Sequence, residues 1–177
     1  MKKNKLYLKT CMDHKSILWN HVQDEKFEIL TQYKPPRLCS ILDLGEKGFD
    51  EDNILSTQKK YDNLVAFTLH LSDYFNFSSE VILDDVSSSP TLSLETFLTE
   101  RLNLVIDGDT LKYPAVHVIK EKREIFENTA LVYFEKDTLI PMNSWKLLYN
   151  SAVGMNSFIN LSSLNKTKLE SFNSSIL

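Results

Sequence analysis

Residues 102–115 read LNLVIDGDTLKYPA and predict a β-hairpin. Apolar and polar side chains alternate on both sides of Asp107 and Gly108, with the period of two that a half-buried strand requires. Asp-Gly favours a type I′ turn, because both central residues of that turn have positive φ angles. Pro114 lacks a backbone N–H, so the first part of the returning strand is expected at a sheet edge.

Other segments with β-type patterns extend this prediction. Residues 64–71 give the clearest strand, since Val65, Phe67, Leu69 and Leu71 lie on one face at a period of two. Residues 17–22 and 27–33 predict a hairpin with a four-residue loop, and a single helix over 17–30 is the alternative. Further strands or short apolar runs are expected at 5–11, 37–44, 80–86, 116–119 and 129–135.

Helical patterns are fewer. Residues 93–102 change to a spacing of three and four, which indicates an amphipathic helix with Ser93 as its N-cap. A short helix is expected over 143–152, and 45–58 is expected to be a loop or a short helix. Strands do not alternate with helices along the chain. The sequence therefore predicts an α+β fold, mainly antiparallel β-sheet with about eight short strands and one or two short helices.

The length of 177 residues favours a single domain. We expect a compact unit over 1–155 that begins with a basic arm at 1–5, and a loosely ordered Ser/Asn-rich tail over 156–177. Cys11 and Cys39 are expected to be reduced thiols, since two cysteines make no disulfide framework. No run of 18 apolar residues and no secretory signal is present, so the expected location is the cytoplasm, or the host-cell cytoplasm and virion if the protein is viral.

Catalytic motifs are absent from the sequence. Four scattered glycines form neither a phosphate-binding loop nor a nucleophile elbow. Cys11, His14, His21 and Cys39 lack the paired spacing of a zinc site, and neither cysteine has a flanking pattern that would lower its pKa. We therefore expect no enzymatic activity, no metal and no small-molecule cofactor.

One catalytic alternative rests on the hairpin turn. Asp107 and Asp109 precede Lys120 and Lys122, and acids followed by a strand lysine can bind Mg²⁺ and activate water in nucleases. Asp before Gly is also explained by the turn alone.

Charge is strongly segregated along the chain, although the net charge is only −4. The first residues are rich in lysine, which can contact membrane phospholipids or other phosphates. Residues 61–100 carry acids and neither lysine nor arginine, and their acids are expected to form a surface for a partner. The candidate phosphate contacts are Lys2, Lys3, Lys5 and Lys9, and the candidate acidic surface comprises Asp73, Glu80, Asp84, Asp85, Glu95 and Glu100.

These observations favour a non-enzymatic interaction or assembly protein that self-associates or bridges protein partners. One concrete form of this hypothesis is a small viral matrix-like protein that links nucleoprotein to an anionic membrane. An intracellular adaptor or accessory subunit of a larger complex is the first alternative. A small metal-dependent nuclease or nucleic-acid-binding module is the second, and the acidic composition disfavours it because such domains usually carry a basic face.

Overall fold

A computed structural model describes residues 2–23, 28–45, 50–72, 90–120, 126–137, 141–150 and 158–176. Within these ranges the chain forms an α+β fold rich in β-structure, as predicted. The helices are α1 (Lys2–Met12), α2 (Pro36–Leu44), α3 (Glu51–Gln58), α4 (Pro90–Arg101) and α5 (Lys166–Ile176). The strands are β1 (Trp19–Gln23), β2 (Glu28–Lys34), β3 (Leu64–Ser72), β4 (Leu102–Ile106), β5 (Asp109–Lys112), β6 (Ala115–Lys120), β7 (Phe126–Glu135), β8 (Ser144–Asn150) and β9 (Phe158–Asn165).

The described strands form two antiparallel sheets. Sheet A has the order β1-β2-β3-β7-β6, and sheet B has the order β5-β4-β8-β9. Their inner faces meet in an aromatic core. The Trp145 ring of β8 lies 4.5 Å from Tyr33 and 5.3 Å from Phe67, measured between ring centroids. Sheet A therefore lies between sheet B on one face and helices on the other.

Strand β3 is the centre of sheet A. Val65, Phe67, Leu69 and Leu71 are all buried, which confirms the face predicted from their spacing. The opposite face of β3 is also largely covered, and Thr68 is buried there. A strand covered on both faces is expected in the middle layer of such an arrangement.

The predicted hairpin at 102–115 is confirmed. Asp107 has φ 49° and Gly108 has φ 105°, the positive values that a type I′ turn requires. Strand β5 is an edge strand of sheet B, as Pro114 suggested. Tyr113 also has a positive φ, 58°, and the chain passes from sheet B to sheet A at this point.

Asp107 also joins β4 to the start of β8. Its carboxylate accepts hydrogen bonds from the backbone N–H groups of Asn143 and Ser144, at 3.0 and 2.7 Å, and from both side chains. The backbone hydrogen bond from Asn143 is the largest cause that holds the Asp107 pKa below its ordinary value of 3.8. The carboxylate thus acts as a structural acceptor between two strands.

We expect Asp107→Asn to lower the melting temperature at neutral pH. Asparagine tolerates the positive φ at this position. The fall in melting temperature therefore measures the loss of the carboxylate charge and its hydrogen bonds, and not backbone strain. A carboxyl whose pKa is lower in the folded state stabilises the fold above its unfolded pKa, and that contribution is lost as the pH falls through the folded pKa. Thermal melts from pH 7 to below 3.8 should show the two proteins converging. A difference that stays constant with pH would contradict this role.

Three of the strand and helix predictions are wrong. Residues 5–11 belong to α1, because the buried side chains are Asn4, Tyr7 and Cys11, at helical spacing. Residues 37–44 belong to α2, where Pro36 occupies the first turn, a position that tolerates a residue without a backbone N–H. Residues 144–150 form β8, in which Trp145, Leu147 and Tyr149 alternate as buried residues.

Two further expectations concern the ends of the chain. The basic residues 2–5 are the first turn of α1, so they do not form an arm outside the secondary structure. Residues 158–176 form β9 and α5, which corrects the expectation of a loosely ordered tail.

A register shift between Leu147 and Leu148 interrupts the β8–β9 ladder, and Leu161 and Ser162 are both buried. Because of this irregularity, buried and exposed side chains do not alternate regularly along β9, so the sequence pattern did not predict this strand.

The hairpin predicted over 17–33 is confirmed by β1 and β2, so the single-helix alternative is wrong. The predicted strand over 129–135 corresponds to β7, and the predicted helix over 93–102 corresponds to α4, which begins at Pro90, so Ser93 is not its N-cap. The apolar run at 80–86 lies outside the described residues. None of the helices in the described ranges is long and apolar enough to cross a membrane.

Candidate docking surface on the N-terminal helix

Helix α1 separates a buried face from a lysine-rich face. Asn4, Tyr7 and Cys11 are buried and lie on one side of the helix. Lys3, Lys5 and Lys9 are exposed, and so are the apolar side chains of Leu6 and Met12. We call the exposed set Lys3, Lys5, Leu6, Lys9 and Met12 the α1 surface.

The carboxyl end of α1 is fixed to sheet A by two side-chain donors. The Trp19 indole Nε1 and the Gln32 amide Nε2 both donate to the Cys11 carbonyl, at 2.9 and 3.0 Å. The last carbonyls of a helix have no partner inside the helix, so this contact satisfies one of them with groups from β1 and β2. Trp19 is itself packed between His14 and His70, with ring centroids at 4.3 and 5.8 Å.

The amino-terminal half of α1 is joined to α2 and α3 through Arg37. Its guanidinium donates to both carboxylate oxygens of Glu51 at 2.8 Å and to the Asn4 side-chain oxygen at 2.7 Å. The hydrogen bond from Arg37 is the main cause that lowers the Glu51 pKa. Arg37 also lies 5.6 Å from the centroid of the Tyr7 ring. A planar donor that binds in this bidentate way fixes orientation as well as position.

Burial of Tyr7 and Cys11 completes the attachment of α1. Both side chains are fully buried, and burial is the main cause that raises the pKa of Tyr7 far above its ordinary value. The α1 surface is therefore presented by a helix that is attached at both ends and along its inner face. The lysines do not sit on a flexible arm, as we had expected, but on a docked helix with a fixed orientation.

Two of the three exposed lysines of α1, Lys3 and Lys5, oppose its helix dipole, whereas Lys9 lies in the last turn, where a positive charge is favourable. No acidic residue lies in the first turn, where the partial positive charge of the helix favours carboxylates and disfavours lysine. Lys3 and Lys5 lie at this amino-terminal end. The placement costs helix stability, by about 0.3–1 kcal/mol per exposed charge at low ionic strength. Residues that break a local stability rule are most often found where function requires them.

We expect the double substitution Trp19→Phe, Gln32→Met to weaken the docking of α1. The substitutions remove both donors to the Cys11 carbonyl; Gln32→Met nearly keeps the side-chain size, and Trp19→Phe replaces the indole by a smaller aromatic ring. An unsatisfied buried carbonyl costs about 1–3 kcal/mol, which urea unfolding would measure. Gln23→Met, at an exposed position of β1, is the matched control and should be close to neutral. Equal unfolding free energies for the double variant and the parent would show that these hydrogen bonds do not hold the helix.

The acidic residues predicted to form a partner surface fall into two groups. Asp73, Glu80, Asp84 and Asp85 lie outside the described residues. Glu100 is exposed on α4, whereas Glu95 is half-buried and bound within the chain. The Glu95 carboxylate accepts a hydrogen bond from the Val118 N–H of β6 at 2.8 Å and lies 3.6 Å from His117. Glu95 therefore covers part of the open edge of β6.

The two thiols and the metal-ligand residues show no catalytic arrangement in the described ranges. Burial raises the pKa of both Cys11 and Cys39 to about 11, so each thiol is protonated at neutral pH. No group of three or more His, Cys, Asp or Glu that could hold a metal ion comes together in this part of the chain. Asp107 is one of the two carboxylates on which the nuclease alternative rests. It already accepts hydrogen bonds from the backbone N–H groups of Asn143 and Ser144. Lys122 lies outside the described residues.

The α1 surface contains two residues that sequence reasoning did not assign to it. Leu6 and Met12 were missed because the alternation of Leu6 and Leu8 suggested a strand. The spacing Asn4, Tyr7, Cys11 would have revealed the helix, since positions three and four apart share one face. The attachment through Trp19, Gln32 and Arg37 carries no comparable signal, because its contacts depend on how distant segments pack.

Comparisons with known proteins leave the family of this chain unassigned. No protein-family model matches the sequence. No curated protein matches it either. The crystal structure of a DUF4426 family protein from Pseudomonas aeruginosa is similar over 84% of this chain and 93% of that chain, with a TM-score of 0.34 and 8% sequence identity. A similarity at this level says nothing about function.

Proposed function

We propose that this protein is a non-enzymatic interaction protein that docks on an anionic partner through the α1 surface. The observation that carries the proposal is that Lys3, Lys5 and Lys9 are exposed on a helix that is attached to the fold along its inner face. Lys3 and Lys5 oppose the helix dipole, so helix stability does not explain these two, whereas Lys9 lies in the last turn, where its charge is favourable. Attraction to a negatively charged surface accounts for all three.

The expected affinity of a single α1 surface is low. Each lysine close to an anionic surface contributes about 1 kcal/mol, so Lys3, Lys5 and Lys9 together contribute about 3 kcal/mol. That corresponds to a dissociation constant weaker than about 1 mM. Stable attachment therefore requires several copies of the chain or a second partner, because linked sites bind with much higher avidity than one site. This supports self-association or bridging as part of the same function.

A matrix-like protein that links nucleoprotein to a membrane would use the α1 surface in this way. Its basic helix would face the membrane, and other surfaces would hold neighbouring copies or the nucleoprotein. An adaptor or accessory subunit of a larger complex would use the same surface for a negatively charged partner. The two roles differ in the partner and in the assembly, and they share the electrostatic docking through α1.

Binding to inorganic polyphosphate tests the electrostatic part of the proposal. Polyphosphate offers closely spaced negative charges without lipid or base, so it reports attraction to anions alone. We expect weak binding at low salt, detectable by NMR titration, and a steep decrease as the salt concentration rises, because salt screens exposed charges. Absence of binding at low salt would exclude the α1 surface as an anion-docking site.

A further inference from the structure

We infer that the anionic partner of the α1 surface is a lipid bilayer, and that Leu6 and Met12 enter its headgroup region. The inference rests on the function proposed above and names the partner. Leu6 is 53% exposed and Met12 is 46% exposed, although both are large apolar side chains. A bilayer surface can take up both kinds of side chain, since its headgroups attract lysine and its headgroup/acyl boundary accepts apolar groups.

The positions of these residues on the helix fit a flat surface. A rotation of about 100° per residue places Met12, Lys5, Lys9 and Leu6 within an arc of about 120°. This arc is opposite the buried side formed by Asn4, Tyr7 and Cys11. Leu6 and Met12 lie at the two margins of the arc with Lys5 and Lys9 between them, and Lys3 lies outside the arc, about 60° beyond Leu6. One face of α1 therefore offers both charge and apolar area to the same surface.

The rigid attachment of α1 determines how it meets a bilayer. Leu6 and Met12 are six residues apart, which is about 9 Å along the helix axis. Both can enter the same bilayer only if the helix lies parallel to the membrane plane. The contacts at Cys11 and Arg37 hold the inner face of α1 against the fold, so its backbone can lie on the bilayer without rearrangement, whereas the Met12 Sδ must leave its contact with the Gln32 Nε2, at 3.7 Å, to enter.

A lipid surface fits these observations better than nucleic acid. Single-stranded nucleic acid is bound by aromatic side chains that stack on bases, and the aromatic residue of α1, Tyr7, is fully buried. Phosphate contacts by lysine alone would leave Leu6 and Met12 without a role. A bilayer has both the anionic headgroups that attract lysine and the apolar boundary that accepts these two side chains.

Co-sedimentation with vesicles tests this inference. The variant Leu6→Gln, Met12→Gln is compared with Leu55→Gln, whose side chain is similarly exposed, at 48%, but lies on α3. With vesicles containing phosphatidylserine, we expect the double variant to bind about tenfold more weakly than the parent, through loss of buried apolar area. Leu55→Gln should bind like the parent. All three proteins should bind polyphosphate equally, because their charges are the same.

The possible outcomes separate this inference from the proposed function. Equal vesicle binding by the double variant and the parent would overturn the lipid inference and leave electrostatic docking intact. Tighter binding of the parent to single-stranded RNA than to vesicles at the same salt concentration would overturn it in favour of nucleic acid. If the parent bound neither polyphosphate nor vesicles, the proposed function itself would be wrong. Matching thermal melts for the variants and the parent would show that every protein compared is folded.

Discussion

Replacing Lys3, Lys5 and Lys9 by glutamine is expected to weaken binding to polyphosphate by about 100-fold. Each lysine contributes about 1 kcal/mol, and each 1.4 kcal/mol corresponds to a factor of ten. All three side chains are exposed on α1, and the substitutions leave its buried residues Asn4, Tyr7 and Cys11 in place. NMR titration at low salt measures the effect, because the parent protein binds weakly and the triple variant should then show no saturable shifts.

The same triple variant should stay close to the parent in thermal stability, because removing Lys3 and Lys5 from the start of the helix relieves an unfavourable interaction with the helix dipole, whereas removing Lys9 from the last turn loses a favourable one. The matched control is Lys59→Gln, Lys112→Gln, Lys146→Gln, which removes the same charge from exposed positions elsewhere. If this control lost as much affinity as the α1 variant, binding would depend on net charge and not on the α1 surface.

Phe67→Ala is expected to cause the largest loss of stability. Phe67 is 1% exposed, and its ring lies against Tyr33, Phe134 and Trp145 at centroid distances of 5.3–6.4 Å. Truncating a buried phenylalanine costs about 3–5 kcal/mol, since transfer free energy is lost and a cavity remains. For a domain of this length, that corresponds to a fall of about 10 °C in melting temperature.

Phe158→Ala is the control for this core substitution. Phe158 on β9 is 48% exposed, so its truncation removes far less buried apolar area than truncation of Phe67. Urea unfolding followed by tryptophan fluorescence compares the two variants. A loss of less than 1 kcal/mol for Phe67→Ala would contradict the face-to-face packing of sheets A and B through these aromatic residues.

Strands with regular alternation were predictable from the sequence, and irregular segments were not. The hairpin around Asp107 and Gly108 and the strand at 64–71 follow from spacing and turn chemistry alone. Helix α2 was missed because a proline before an apolar run is compatible with both a break and a helix start. Strand β9 was missed because the register shift at Leu147 disturbs its alternation.

The candidate site was predictable in part. The lysines were recognised from charge segregation, but their placement on a docked helix depends on distant contacts. Arg37 joins Asn4 to Glu51, which are 47 residues apart, and Gln32 reaches Cys11 across 21 residues. Such contacts arise from tertiary packing, so no local sequence pattern predicts them. Leu6 illustrates the consequence, since it was read as part of a strand and is exposed on α1.

A map of the surface that contacts an anion tests the central claim most directly. Backbone amide resonances of the ¹⁵N-labelled protein can be followed by NMR during titration with inorganic polyphosphate. We predict that the largest shifts fall on α1, from Lys3 to Met12, and that the amides of β5 and α3 change little. Shifts concentrated elsewhere on the fold, with the resonances of α1 unmoved at saturation, would contradict the assignment of the α1 surface as the docking site.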